Sequence, residues 1–200
     1  MILALLVLGR SSRDLFEFLA QLPERAKEEA VLQLSANPNK VLGGYACVAN
    51  AFLDSVSPHT DVCGVVHADT RFDAGALSIF AASALEGEGR IVGLVGRSGS
   101  GEYVWAKCGG GQVSTLDCCS VFFPSKTGLR FDGETFDDFH CVVEDLCLQG
   151  REIGLHSFVP AAQADHLGTV ADPNSEWQRS YRRYRYALSR KWQHVNFQTT

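Results

Sequence analysis

Hydrophobic residues along this chain form short unbroken runs that alternate with longer stretches in which they recur at helical spacing. Residues 1–9 are the first unbroken run; it is too short to cross a bilayer and lacks the basic segment of a signal peptide. The run therefore predicts a buried strand. Helical spacing follows from Asp14 to about Ala30, although Pro23 is expected to interrupt the helix.

The alternation continues to about residue 95 and predicts an α/β fold. Strands connected through helices pair in parallel, so this half predicts a mixed, mainly parallel sheet flanked by helices. The predicted elements are strands at 31–34, 62–66 and 91–95, helices at 44–56 and 77–85, and a turn at 37–39.

The second half of the chain is less regular, but nothing divides it from the first. No repeat, low-complexity tract or proline-rich linker interrupts the sequence, so residues 1–200 are expected to form a single domain. The predicted elements here are a glycine-rich loop or irregular hairpin at 96–111, a strand region at 113–123, a helix at 137–149, a strand at 155–159 and a helix at 174–192.

Composition narrows the class of protein. The chain is 46% hydrophobic and 20% charged, which is typical of an ordinary soluble globular protein. Its net charge of -5 argues against a general nucleic-acid binder. The seven cysteines have no zinc-type spacing, and an odd number favours a reducing compartment over a disulfide framework. A cytoplasmic location is therefore expected.

His67 and Asp69 stand directly after the apolar run at 62–66. Side chains two residues apart on an extended chain point to the same side, so both can address one site. The carboxyl end of a buried parallel strand is a common place for a divalent cation and a phosphate-bearing ligand. The structural alternative is an aspartate that caps a turn or helix beside a histidine that fills space.

Three further positions carry candidate chemistry. Asp117 interrupts an apolar strand, where a carboxylate must be paired, hydrogen-bonded or in contact with solvent. A ligand contact and a hydrogen bond to backbone amides are equally compatible with that position. Glu144 and Asp145 are neighbours on a predicted apolar helix, so one can face a cleft while the other stays solvated. His166 follows the strand predicted at 155–159 and is either an ordinary loop histidine or part of the same site.

In this order, these residues resemble the motifs of the GT-A glycosyltransferases, in particular the family-2-like group. The resemblance covers nearly the whole chain and is strongest between residues 37 and 168. His67-Ala68-Asp69 is similar to the D-x-D metal motif of that group, with its first aspartate replaced. The group usually has an acidic residue after the second strand, whereas residues 34–37 carry no carboxylate here. The other motifs that carry the resemblance are a small-residue helix with an asparagine at 43–52, the glycines at 93 and 96, Leu116-Asp117, Phe131-Asp132, Glu144-Asp145 and Ala164-Asp165-His166.

The resemblance implies a nucleotide-sugar donor whose diphosphate is bound with Mn²⁺ or Mg²⁺. Asp69 is the expected metal ligand, with His166 as a second one. His67 is either a further ligand or a hydrogen-bonding partner of the ribose or diphosphate, since imidazole suits Mn²⁺ better than Mg²⁺. Asn50 is expected to join His67 and Asp69 in donor binding, within a nucleotide-sugar-binding half at about 1–110.

The resemblance also implies a saccharide or other hydroxyl acceptor, bound by an acceptor-side half at about 111–200. A hydroxyl is a poor nucleophile until a base takes its proton as attack develops. Asp145 is expected to be that base in an inverting displacement, with Glu144 as the alternative. Asp117 is expected to contact the acceptor or shape its pocket.

Two other functions stay open. A catalytically degenerate module that binds a nucleotide sugar without turnover is compatible with His67 in place of an acid. A sugar nucleotidyltransferase is less favoured, because residues 8–13 only faintly resemble a glycine-rich basic phosphate loop.

The tail at 181–192 is dense in arginine and aromatic residues. We expect a helix that packs its aromatic residues on the domain while the arginines stay solvated, because the segment lacks a wide unbroken apolar face. The alternative is a peripheral surface for a membrane or an anionic acceptor.

Overall fold

The computed structural model describes residues 1–22, 24, 30–36, 44–168 and 176–199. Its strands are β1 (Leu3–Gly9), β2 (Ala30–Ala36), β3 (Val62–His67), β4 (Thr70–Phe72), β5 (Arg90–Val92), β6 (Val95–Arg97), β7 (Tyr103–Trp105), β8 (Gly111–Val113), β9 (Thr115–Leu116), β10 (Ser120–Pro124), β11 (His156–Val159) and β12 (Ala164–His166). Its helices are α1 (Ser12–Gln21), α2 (Gly44–Val56), α3 (Ala76–Ala84), α4 (Val142–Glu152) and α5 (Glu176–Lys191).

A seven-stranded sheet in the order β2-β1-β3-β10-β5-β11-β8 forms the frame of the described chain. β1 pairs in parallel with β2 and β3, and β5 pairs in parallel with β11. β10 runs antiparallel between β3 and β5, and β8 runs antiparallel at the edge beside β11. Five strands therefore share one direction, as the predicted mixed, mainly parallel sheet requires.

The central strands are covered on both faces. All seven residues of β1 are buried, which accounts for its uninterrupted hydrophobic sequence. Gly64 in β3 lets neighbouring side chains approach closely: a Cβ there would lie 2.7 Å from the ring of Phe122 and 2.9 Å from Leu5. This close packing holds β3 firmly against its neighbours, and β3 is the strand that ends at His67 in the candidate site.

Helix α1 begins where its capping residues predict a boundary. The Ser11 hydroxyl accepts a hydrogen bond from the backbone N–H of Asp14, whose carboxylate accepts one from the N–H of Ser11. This reciprocal capping box satisfies two N–H groups at the helix start. The predicted first strand is confirmed, and so is the helix at 44–56, while the expected break at Pro23 and the turn at 37–39 lie outside the described residues.

The predicted strand at 91–95 is wrong in one respect, since it divides into β5 and β6. Gly93 lies at the break, where a Cβ would come within 2.7 Å of the carbonyl oxygen of Ser120. The loop predicted at 96–111 contains β7, which pairs antiparallel with β6 as an irregular hairpin. β9 pairs with β6 on its other side, which makes a separate three-stranded sheet.

The helix predicted at 137–149 begins later, at Val142. Cys141 precedes it with φ 62°, a left-handed conformation that a non-glycine residue adopts at a cost of about 1–3 kcal/mol. Periodicity alone continues through this position, so the sequence pattern gave no sign of the boundary. The helix predicted from 174 is α5; residues 174 and 175 lie outside the described part of the chain.

Helix α5 packs on the rest of the chain through the buried Tyr184 and Leu188, and the buried Trp192 follows directly after the helix. Its basic residues contact carboxylates of the preceding segment, including the Lys191–Asp132 ion pair at 2.8 Å and the Arg183–Asp137 pair at 3.2 Å. Among the described residues, no helix has the length and hydrophobicity needed to cross a membrane. A peripheral membrane contact through α5 stays a prediction.

Candidate metal centre

The end of β3 and the turn that follows it place His67 and Asp69 at the carboxyl end of the parallel strands. The backbone N–H of His67 donates to the carbonyl of Cys119 over 2.8 Å, and that of Ala68 donates to Leu8 over 2.9 Å. These bonds tie the turn to the ends of β1 and of the strand region before β10. Asp69 lies in the turn itself rather than in the strand.

A two-stranded ribbon brings in His166 from the far end of the sequence. β12 pairs antiparallel with β4, and His166 stands directly opposite Thr70. The backbone N–H of Leu167 donates to the carbonyl of Asp69 over 2.9 Å. Because β4 starts immediately after Asp69, this pairing brings the His166 ring beside the Asp69 carboxylate.

The three side chains form one compact cluster of possible metal ligands. One nitrogen or oxygen atom from each of His67, Asp69 and His166 lies within 4.8 Å of the others. The Nε2 of His166 is 3.2 Å from Oδ1 of Asp69, and these two side chains are 24% and 35% exposed. A partly buried position with an opening to solvent suits a site that exchanges a ligand.

Burial and the Asp69 carboxylate give the two histidines opposite pKa shifts. Burial lowers the pKa of His67 to about 4, although the nearby Asp69 acts in the opposite direction. Burial also acts to lower the pKa of His166, but its contact with Asp69 outweighs burial, so the pKa is raised. Burial acts to raise the pKa of Asp69, and its contacts with His166 and His67 outweigh that effect and lower it.

These residues fit a divalent cation. The Nε2 of His166 is buried and has no well-aligned hydrogen bond within the described residues, although it approaches Asp69. Two ligands about 2.1 Å from one ion and at right angles to each other lie about 3 Å apart. The 3.2 Å between Nε2 of His166 and Oδ1 of Asp69 is compatible with that spacing. A metal would take these three protein ligands and leave the remaining positions open.

Asp117 lies beside the same cluster, in the connection between β9 and β10. Its Oδ1 accepts a hydrogen bond of 2.9 Å from the backbone N–H of Cys119, the residue whose carbonyl holds His67. After burial and Asp69, the charge of Asp117 also acts to raise the pKa of both histidines. The carboxylate therefore has the expected backbone hydrogen bond, and its charge also acts on both histidines of the cluster.

Glu144 and Asp145 are both buried, 2% and 0% exposed, so the expectation that one of them stays solvated is wrong. Asp145 accepts hydrogen bonds from the indole N–H of Trp192 and the side-chain amide of Gln149, each at 2.7 Å. It also pairs with the Lys191 ammonium at 2.8 Å. These contacts join α4 to α5, and the structure does not bring Asp145 into the His67 cluster. Its predicted role as the base stays a prediction.

The buried carboxylate of Glu144 acts electrostatically on groups near the candidate site. After burial, the charges of Asp117 and Glu144 both act to raise the pKa of Tyr45 and of the Cys118 thiol. The Tyr45 ring packs edge-on against His67, with centroids 6.2 Å apart, and its buried hydroxyl has no hydrogen-bond partner among the described residues. Tyr45 therefore lies at the candidate site, although the sequence pattern predicted only that it belongs to an amphipathic helix.

Asn50 uses its side-chain amide on the backbone of Phe131. Its Nδ2 donates to the carbonyl over 2.9 Å, and its Oδ1 accepts from the N–H over 3.0 Å. These two bonds fasten α2 to the segment before α4. A contact between Asn50 and a donor stays a prediction, since the structure gives this side chain a structural partner.

Two surface pockets lie outside the cluster. One, of about 650 Å³, lies between the start of α3 and the residues that precede β12, where Asp73, Lys107 and Gln163 are its polar lining. The other, of about 260 Å³, lies between α5 and residues 195–199. Neither is lined by His67, Asp69 or His166, so the ligand chemistry of the cluster, rather than cavity size, identifies the candidate site.

No model of a known protein family matches this sequence, and no curated protein matches it either. Among solved structures, the crystal structure of A197 from STIV is similar, with a TM-score of 0.55 and 14% sequence identity. The similarity covers 84% of this chain and 87% of that one. At this identity the likeness concerns the fold alone: a Rossmann-like α/β sheet flanked by helices.

Proposed function

We propose that this chain is a metal-dependent glycosyltransferase of the GT-A type, which moves a sugar from a nucleotide-sugar donor to a hydroxyl acceptor. The observation that carries the proposal is the convergence of His67, Asp69 and His166 at the carboxyl end of β1 and β3. In open α/β sheets, ligands bind in the crevice outside the carboxyl ends of the strands. A divalent cation there would face the diphosphate of a donor bound above these strands.

The cluster supplies the groups that such a donor requires. A bound Mn²⁺ or Mg²⁺ would neutralise the charge that develops on the leaving nucleoside diphosphate. Asp69 is held ionised by its contact with His166, and burial keeps His67 neutral, so its ring nitrogen can bind a cation at neutral pH. Asp69 and both histidines would hold the ion, while Tyr45 forms an apolar wall beside His67.

The acceptor side requires a base within reach of the hydroxyl proton. After burial, the charge of Asp117 acts to raise the pKa of both histidines, and the charge of Glu144 acts to raise the pKa of Tyr45 and Cys118. Asp145, which the motif order favours as the base, is covered by Lys191 and Trp192. It could take a proton only if those contacts loosen when substrate binds. Glu144 therefore becomes the stronger candidate for the base, and inversion at the sugar carbon stays part of the proposal.

A second function is favoured by specific observations: a degenerate module that binds a nucleotide sugar without turnover. His67 replaces the first acid of the metal motif, and the buried contacts of Asp145 give that carboxylate a structural role. No acid stands at Leu34-Ser35-Ala36 at the end of β2. At residue 67 and at residues 34–36, this chain therefore lacks negative charges that the family-2-like group carries.

Calorimetric titration with UDP-, GDP- and dTDP-sugars, with and without Mn²⁺, tests both functions. Metal-dependent binding with slow donor hydrolysis supports the transferase, and binding without hydrolysis supports the module. Asp69→Asn should abolish the metal-dependent part of binding. The matched control is Asp73→Asn, an exposed carboxylate four residues further along the chain. Failure of every nucleotide to bind would overturn both proposals.

A further inference from the structure

We propose that β2 is a dimerisation edge, which pairs antiparallel with β2 of a second copy of this chain and joins the two seven-stranded sheets into one. This association is separate from the proposed function, because it requires neither a metal ion nor a sugar donor. The observations that carry it are the position of β2 in the sheet, its exposure, its lack of charge and its sequence.

β2 is the outer strand at one edge of the sheet. It pairs with β1 on one side, and no strand in the described part of the chain pairs with its other side. None of its seven residues is buried, and Val31 and Leu34 are 50% and 40% exposed. Alternate residues of a strand direct their N–H and C=O groups to opposite sides, so about half of these groups in β2 point away from β1. The outer side of β2 is therefore a template on which another strand can pair.

β2 lacks the features that usually prevent such pairing. Edge strands in natural proteins are commonly short, or they carry a charged residue, a proline or a β-bulge. β2 is seven residues long, and residues 30–36 include no charged residue and no proline. Its register with β1 is continuous, so no bulge interrupts the pairing of these residues. The opposite edge strand, β8, has only three residues, so the sheet is protected at one edge and open at the other.

The lack of charge on β2 favours a second copy as the partner. The net charge of the chain is -5, so two copies repel each other on average and can meet most easily through a neutral surface. A charged strand of another protein would find no opposite charge on residues 30–36. Pairing about a two-fold axis covers both open edges at once, and the short β8 leaves no equivalent edge for further growth. The assembly therefore closes at two copies.

The sequence of β2 is self-complementary in one antiparallel register, in which Gln33 lies opposite Gln33 of the second copy. In this register Leu32 lies opposite Leu34, so the exposed Leu34 side chain gains an apolar neighbour across the strands. The other opposite pairs are Ala30 with Ala36 and Val31 with Ser35. A shift by one residue would place Leu34 opposite Gln33 and lose the leucine pairs. The apolar pattern therefore selects the register centred on Gln33.

The dimer leaves the candidate metal centre open. β2 runs parallel to β1, and β1 runs parallel to β3, so the carboxyl ends of all three strands lie at the edge where His67 stands. Antiparallel pairing of the two β2 strands directs the carboxyl ends of the two sheets in opposite directions. The two centres therefore lie at opposite ends of the joined sheet, where neither blocks the other.

Sedimentation equilibrium of the full chain at concentrations between about 1 and about 100 μM tests the proposal. The measured mass should rise with concentration toward twice the 21.8 kDa of one chain and then stay constant. A mass that remains that of one chain throughout, or one that continues to rise beyond the dimer, contradicts the proposal.

The variant Gln33→Lys tests the pairing itself. Gln33 is exposed, so the fold should be retained, while the dimer would bring two ammonium groups opposite each other at the two-fold axis. We expect the dissociation constant of the dimer to rise by at least about tenfold at low salt. Gln112→Lys is the matched control, because Gln112 is exposed at the centre of β8 and its replacement should leave the dimer unchanged. Circular dichroism checks that both variants fold.

The variant Gln33→Glu adds an independent measurement. Alone it should weaken the dimer as Gln33→Lys does, and an equimolar mixture of the two variants should restore it, because opposite charges then face each other. This recovery requires residue 33 to lie opposite residue 33 of the second copy. A dimer that either folded variant leaves unweakened, or that the mixture does not restore, overturns the proposal.

Discussion

His67 and His166 have the same side chain, yet their surroundings shift their pKa values in opposite directions. Burial dominates at His67, while the Asp69 carboxylate outweighs burial at His166. The difference arises from where the chain places each ring relative to one carboxylate. At the scale of single residues, the surroundings of His166 are therefore set both by Asp69, which is distant in sequence, and by Gly168, which is two residues away.

The substitution Gly168→Ala should displace the His166 ring, since the added Cβ would lie 2.5 Å from Cε1 and 2.8 Å from Nε2. We expect a loss of Mn²⁺ affinity of about tenfold, typical of a disturbed partner of a metal-binding histidine. Calorimetry measures the affinity, and thermal unfolding checks that the fold is retained. Gly99→Ala is the matched control, because a Cβ at Gly99 meets nothing within 4 Å. Equal affinity in the two variants would show that the His166 ring is not a ligand.

At the scale of elements, the β4–β12 ribbon assembles the candidate site, and a buried carboxylate joins two helices. β4 and β12 carry His166 to the turn that holds Asp69. Helix α4 is joined to α5 by the buried Asp145, which contacts Lys191 and Trp192. The ribbon therefore assembles the candidate metal ligands, while Asp145 ties the acidic helix to the C-terminal end of the chain.

Asp145→Asn separates a structural role from a catalytic one. Asparagine keeps the size of the side chain but leaves the partly buried Lys191 ammonium without this counter-ion. We expect the free energy of unfolding to fall by about 2–3 kcal/mol, measured by urea denaturation. Glu144→Gln is the companion variant, and donor turnover is measured for both. Loss of turnover with unchanged stability in Asp145→Asn would identify Asp145 as the base; normal turnover would exclude that role.

At the scale of the whole molecule, one sheet gathers strands from both halves of the chain, and carboxylates outside the basic C-terminal helix form ion pairs with it. The net charge is -5, yet α5 ends in Arg190 and Lys191. Contacts such as Lys191–Asp132 couple this helix to the rest of the domain through charge. The stability of the molecule should therefore depend on pH in the acid range.

The Asp132 carboxylate is one group from which this pH dependence of stability is expected to arise. Burial would raise the pKa of Asp132, but hydrogen bonds from Lys191 and Thr135 outweigh burial and lower it to about 2. Since the unfolded value is about 3.9, this carboxylate contributes stability above about pH 4, and the contribution is lost as the pH falls toward 2. Urea unfolding between about pH 5 and pH 2 should give a shallower decline for Asp132→Asn than for the unmodified protein. Asp73→Asn, which alters an exposed carboxylate, should keep the original slope; equal slopes in all three proteins would contradict the prediction.

The sequence by itself determined the elements whose signals are local. Uninterrupted apolar runs predicted β1 and β3, and helical spacing predicted α2. The end of the second run also predicted that His67 and Asp69 lie at the carboxyl end of β3. Periodicity is a property of neighbouring residues, so it can be recognised without knowledge of the fold. That His67 and Asp69 can address one site was predictable in the same way, because side chains two residues apart on an extended chain point to the same side.

Only the tertiary structure decided which distant segments meet. β10 enters the sheet antiparallel between β3 and β5, and β12 pairs with β4 to deliver His166, although three residues are too few to give a periodic signal. The burial of Asp145 depends on Trp192 and Lys191, which come from the last helix. Strand partners and buried ion pairs depend on contacts between residues far apart in the chain. The sequence therefore determined where candidate ligands stand along the chain, and the packing of the sheet decided which of them share a site.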